Sequence, residues 1–201
     1  MTEKTAKFIS VIFHPVLLPS LGFLLLISTG IYDHILSVEA KKYLLMVIFF
    51  TTTTLPMLTI ALLALNPKFD FSMKESRDRV LPLLFSSVFY YTGFMLLGKI
   101  HFLPVFKPFM IASVLLIVAL LLISIRWNIS IHMAAAGAVT ATFFAVSFRG
   151  GYNPEGILIV AVLVSGLTGT ARMILNKNSL QQLAAGYLLG FLFLYPVVYS
   201  F

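Results

Sequence analysis

Residues 43–65 read YLLMVIFFTTTTLPMLTIALLAL, a stretch without a single charge. A helix needs roughly 20 mainly apolar residues to cross the hydrocarbon core of a bilayer, and this stretch supplies them. Pro56 sits inside it, directly after Thr51-Thr52-Thr53-Thr54-Leu55. A proline there frees a backbone carbonyl, and threonine hydroxyls can hold the bend. A kink made for packing is the expected result.

Six further stretches of the same kind surround it, at about 10–32, 81–98, 109–125, 129–147, 157–175 and 181–200. The third and fourth of the seven are short, so six full spans plus a broken or re-entrant piece is an open alternative. The connections leave no room for a soluble domain. The fold class that follows is all-α: a polytopic transmembrane helix bundle of six or seven spans, with residues 1–201 forming one domain. Composition agrees. The 201 residues are 60% hydrophobic and 10% charged, whereas soluble globular chains carry about 25% charged residues. So little polar surface cannot cover a water-facing globule. Two small-residue patterns, Gly186-Tyr-Leu-Leu-Gly190 and Ala134-Ala-Ala-Gly137-Ala138, predict surfaces where helices approach closely.

Other classes are excluded on similar grounds. There is no cysteine, hence no disulfide framework, thiol nucleophile or thiolate metal site. Four scattered histidines and few carboxylates make no ligand set, so neither metal nor other cofactor is expected. The net charge of +7 suits anionic lipid head groups or a phosphate ligand. The basic residues are scattered among short loops, which argues against nucleic acid as a partner. The N-terminal MTEKTAKFISVIFHPV has a basic head without a small-residue cleavage site, so no removed signal peptide is expected. The expected location is a cell (inner) membrane, with membrane lipids as neighbours.

Numbering seven spans puts the second, fourth and sixth connections on the same face as the N-terminus. These carry the unusual polar residues: Lys68, Lys74, Arg77 and Arg79; then Arg126, Asn128, Ser130 and His132; then Arg172, Asn178 and Gln182. Singly, each has a plain explanation as a topology signal, an interfacial residue or a snorkelling arginine. Jointly they suit phosphate. Guanidinium groups bind phosphate oxygens bidentately, lysine adds a point charge, and histidine moves a proton near neutral pH. This face carries nine Lys/Arg against five on the other. Without Lys74, Arg79 and Arg172 the balance is six against five, so charge assigns the face to neither side. His14 shares the face, and as His14-Pro15 it reads as the start of the first span.

These residues resemble the motifs of the type-2 phosphatidic-acid phosphatase and vanadium haloperoxidase superfamily. That family has Lys, six residues, Arg-Pro; then Pro-Ser-Gly-His; then Ser-Arg, five residues, His, three residues, Asp. Here KESRDRVLP (74–82) is similar to the first, ISIHMAAAG (129–137) to the second and ARMILNKNSLQQLAAG (171–186) to the third. The third is the most specific, with Arg172 in register, and the resemblance covers about residues 70–190. Departures are visible in each. Lys74 stands five positions before Arg79 instead of seven, Ser72 holds the strict lysine spacing, and Pro82 follows three after Arg79. Ile129 and Ile131 replace Pro and Gly. Ala171 replaces Ser, Gln182 replaces Asp, and Asn178 replaces the nucleophilic histidine.

The resemblance implies a membrane-embedded lipid-phosphate phosphatase, acting on a phosphatidate or polyprenyl-pyrophosphate type of ligand. It assigns His132 as general acid, Asn178 as the nucleophile position and Gln182 as the orienting position. Lys74, Arg79, Ser130 and Arg172 become the phosphate-binding residues. An amide lone pair is delocalised, so Asn178 cannot carry a phosphoryl group as imidazole does, although it can donate a hydrogen bond to phosphate. Three explanations stay open: a binding-only relative, an active relative using another nucleophile, or a chain in which a substitution stalls turnover. A non-enzymatic transporter, flippase or scaffold of seven helices is the alternative class.

Overall fold

The computed structural model describes residues 1–65, 76–98, 105–150 and 155–200. All regular structure among them is helical. The helices are α1 (Glu3–Ile12), α2 (Leu18–Ser28), α3 (Val38–Leu63), α4 (Ser76–Leu97), α5 (Phe106–Ser124), α6 (Ile131–Gly150), α7 (Glu155–Ile174) and α8 (Leu180–Ser200). Six of these, α3 to α8, hold stretches long and apolar enough to cross a membrane.

The expected first span, at about 10–32, is not one helix. The chain breaks between α1 and α2, where Pro15 and Pro19 limit helical continuation. At about 1.5 Å per residue, α2 covers only about half of a ~30 Å hydrocarbon core. The chain still travels from one end of the bundle to the other. His14 stacks edge-on against His132, at the start of α6. Phe23 meets Phe106 and Phe109, and Tyr32 meets Phe106, at the start of α5. The broken piece is therefore N-terminal. The third and fourth candidates are full-length α4 and α5, and charged residues such as Asp78 and Arg79 hide the first turn of α4 from a hydropathy reading.

Helix α3 contains a π-helical turn at Phe50–Thr54, immediately before Pro56. The expected irregularity at the threonines takes the form of this π turn, and two of their hydroxyls serve a neighbouring segment. Thr51 Oγ1 donates to Val47 O within the helix, at 2.8 Å. Thr53 Oγ1 donates to Val16 O at 2.9 Å, and Ser20 Oγ bonds to both Thr52 and Thr53. These hydroxyls are buried, and pairing them avoids the desolvation cost of an orphaned polar group.

The closest helix pair is α6 with α8. A Cβ at Gly190 would collide with the carbonyl oxygen of Ala134, one at Gly186 with that of Ser130, and one at Gly137 with that of Tyr187. Backbone lies directly on backbone, as the small-residue patterns predicted. Helix α5 rests on α8 and on α4, while α7 rests on the far side of α6.

The glycine contacts generate a contrast. Gly190→Val should lower stability by about 3 kcal/mol or more, because a carbonyl cannot move aside as a side chain can. Gly156, on α7, faces open space, and Gly156→Ala should be neutral or stabilising by about 0.5–1 kcal/mol. Thermal unfolding in detergent micelles checks both. Equal effects at the two positions would contradict the close α6–α8 contact.

Candidate functional site

The polar residues after α7 form a helix stop and a helix start. Asn176 takes φ 50°, the left-handed region, just past the end of α7. Its N–H donates to Met173 O, and the Lys177 N–H donates to Arg172 O. That pair of bonds is a Schellman cap with asparagine in the position glycine usually holds. Two residues on, Ser179 and Gln182 make a capping box for α8. The Gln182 N–H donates to Ser179 Oγ at 3.4 Å, and the Ser179 N–H donates to Gln182 Oε1 at 2.9 Å. Gln182, in the orienting position of the resembled motif, thus has a structural task of its own.

The connection before α6 is built to match. Ser130 Oγ accepts from the Met133 N–H and caps α6. The Ser130 N–H donates to Gln182 O at 3.2 Å, so the two corners are joined by backbone. Asn178 strengthens the joint. Its Nδ2 donates to Asn128 O and to Gln182 Oε1, both at 3.4 Å, and its Oδ1 accepts from Arg172 Nε at 3.1 Å. Both amide hydrogens are used inside the protein, and the residue is buried. In this arrangement Asn178 connects three segments and presents no spare donor to a ligand.

Arg79 enters from the first turn of α4. It is only 6% exposed, and its NH1 donates to Ile129 O at 3.2 Å. Arg172, from the last turn of α7, donates NH1 to Ser10 Oγ at 3.5 Å. Ser10 Oγ also lies 3.4 Å from His132 Nε2. The His14 ring packs edge-on against His132 with centroids 5.3 Å apart. Its Nδ1 accepts from the Val16 N–H, which leaves Nε2 to carry the proton of the neutral ring. Arg79, Ser130, His132, Arg172, Asn178 and Gln182 therefore gather at one end of the bundle. Lys74, together with Lys68 and Ser72, lies outside the described residues.

Sequence reasoning missed Ser10 altogether and took His14 for the start of a span. The available signal was His14-Pro15 within an apolar run: a ring nitrogen and a proline together mark a break in the helix. The chemistry of the cluster is cationic and proton-accepting. Arg172 makes its hydrogen bonds to neutral groups, an asparagine oxygen and a serine hydroxyl. Between described residues, the one ion pair is Lys41–Asp33. No family model, curated protein or solved structure matches this chain, so the resemblance rests on its motif residues alone.

His14 lies in the break, outside the six long helices. Burial first, and the Arg172 charge second, pull its imidazole down to about 4. Its folded-state pKa is below the ordinary value, so the fold loses stability as pH falls through the interval from about 6.5 to about 4. There the unfolded chain takes a proton that the folded ring refuses. At about 1.36 kcal/mol per pKa unit, the loss reaches at most about 3 kcal/mol. Unfolding midpoints in detergent, measured across this interval, should fall less for His14→Gln than for the wild type. Equal falls would show that His14 does not carry the effect.

Proposed function

We propose that the protein binds the phosphate or pyrophosphate head of a lipid at this end of the bundle, as a relative of the type-2 phosphatidic-acid phosphatases that lacks their nucleophile. The cell (inner) membrane is its proposed location. The observation that carries the reading is Arg172. It is a partly buried guanidinium whose hydrogen bonds go to Asn178 and Ser10, and it shares its end of the bundle with Arg79, His14 and His132. Among the described residues its hydrogen-bond partners are neutral, and a partly buried charge so held is costly. A phosphate supplies the missing countercharge in a form that a guanidinium fork fits.

The surroundings support a lipidic ligand. Ile125, Trp127, Met173 and Leu180 flank the two corners and are exposed. An aromatic ring at this level suits the head-group region of a bilayer, and the apolar neighbours suit acyl chains. A head group would approach the arginines from the end of the bundle while its tails lay along the helices.

The same arrangement argues against rapid hydrolysis by the route of the resembled family. That route needs an imidazole at position 178 to take the phosphoryl group, and an amide cannot replace it. Gln182 offers no carboxylate to orient such a ring. Among the matched motif residues, His132 alone retains a titratable group for proton transfer to a leaving oxygen.

Nanodiscs containing phosphatidate test the reading. Wild-type protein should bind phosphatidate in preference to phosphatidylcholine, and Arg172→Ala should weaken that binding at least about tenfold, the scale of one lost charge-assisted hydrogen bond. Unchanged affinity would reduce Arg172 to a snorkelling residue and sink the proposal. Phosphate release from the wild type should stay near background. Asn178→His should raise it, because position 178 would then hold the missing imidazole. Rapid turnover by the wild type would point to another nucleophile.

A further inference from the structure

We propose that α1 is a strap closed over this site, and that the ligand enters by taking the place of the Ser10 hydroxyl. This rests on the phosphate-binding reading and adds how access is controlled.

Ser10 Oγ occupies a particular position. It accepts from Arg172 NH1 at 3.5 Å and lies 3.4 Å from His132 Nε2. These two side chains come from different helices, α7 and α6, and from two of the three polar clusters. An oxygen held between a guanidinium and an imidazole is where a phosphoryl oxygen would sit. Ser10 presents a neutral oxygen there, and both contacts are at the long end of hydrogen bonding. A phosphate oxygen carries negative charge, so with the guanidinium it makes an ion pair as well as a hydrogen bond. The exchange therefore favours a phosphate over the hydroxyl.

The rest of α1 is suited to leaving. It packs mainly against α7, and its buried positions are only Ala6 and Ser10, two small residues. Little apolar area is lost if it lifts, and segments with few buried contacts are those that open locally. The break at Phe13–Leu17 separates it from α2, which stays tied to α3 through Ser20 and through Val16. Lys4, Lys7, Phe8 and Val11 are all exposed and fall on one side at helical spacing. That face is open whether α1 is closed or lifted, so a phosphate-bearing membrane biases the strap through the ligand it offers to Arg172.

The test uses the full chain in nanodiscs, with spin labels at two exposed positions, Lys7→Cys on α1 and Met173→Cys on α7. In phosphatidylcholine alone, the label separation should form one narrow population. Phosphatidate should add a longer population in proportion to binding. A separate arm adds inorganic phosphate to phosphatidylcholine discs. A shift there as large as that with phosphatidate keeps the strap and makes free phosphate the ligand. Ser10→Ala, which leaves no hydroxyl to displace, should bind phosphatidate several-fold more tightly than the wild type.

Phosphatidate that binds without changing the separation overturns the strap while leaving the phosphate reading intact. Weaker binding by Ser10→Ala also overturns it, since Ser10 would then be a ligand for the phosphate. Binding by Ser10→Ala but not by the wild type supports a closed strap. Absence of binding by both proteins removes the phosphate reading and the strap with it.

Discussion

The direct contact of backbone on backbone between α6 and α8 is the constraint on which the site depends. At Gly186 there is room for the Ser130 carbonyl and nothing more, and the same holds at Gly190 for Ala134. Once the helices meet at that distance, the chain entering α6 and the chain entering α8 lie side by side. The bond from the Ser130 N–H to Gln182 O follows from this proximity. Two helix starts, each capped by a serine, are then fixed in register. Arg172 and Asn178 before one start, and Asn128 and His132 around the other, have no freedom to be elsewhere. A bulkier residue at either glycine would separate the two corners as well as the two helices.

Capping and function use the same few residues, and their demands differ. A helix start needs oxygen acceptors for its open N–H groups, and Ser130, Ser179 and Gln182 supply them. The phosphate site proposed above would need donors and positive charge, and the arginines are the residues that offer them. Asn178 lies at the boundary, since its oxygen orients the Arg172 guanidinium while its nitrogen ties down the neighbouring loop. Asn178 thereby fills its place between the two corners completely. The asparagine takes up a positioning role, and the arginine beside it stays aimed.

Much of this arrangement was legible in the sequence because membrane physics makes it so. Backbone groups in lipid must be satisfied internally, so apolar stretches long enough to span can be read as helices. The Gly186/Gly190 and Gly137 patterns marked surfaces of close approach, because small residues let backbones meet. Alternation of spans places Arg79, His132, Arg172 and Asn178 at one end without reference to any contact. What was not legible came from tertiary bonding and from small residues. Ser10 is one serine in an ordinary amphipathic segment, and only the fold brings it to Arg172. The short helix α2 was hidden because hydropathy measures apolar length and is blind to a break at His14-Pro15. The capping box at Ser179 and Gln182 was readable as a serine followed three residues later by glutamine, but the resemblance to a catalytic motif drew attention to a different role.

The π-helical turn in α3 has a consequence for how this chain tolerates length changes. A π turn holds one residue more than the α-helix around it, and one residue is worth about 100° of rotation. The extra residue lets neighbouring threonines serve different partners. The Thr51 side chain lies where a Cβ on Gly93 of α4 would strike it, while Thr53 reaches Val16 and Ser20 beside α2. The turn therefore acts as a phase adjuster between the two halves of one long helix. Deleting one threonine would remove the extra residue, restore a regular helix and leave the two halves close to their present phase, at the cost of one hydroxyl partner. Forcing the turn into α-helical geometry with all four threonines kept would instead rotate one half by about 100° and turn lipid-facing side chains toward the protein. The four identical residues and the π turn are therefore matched to each other.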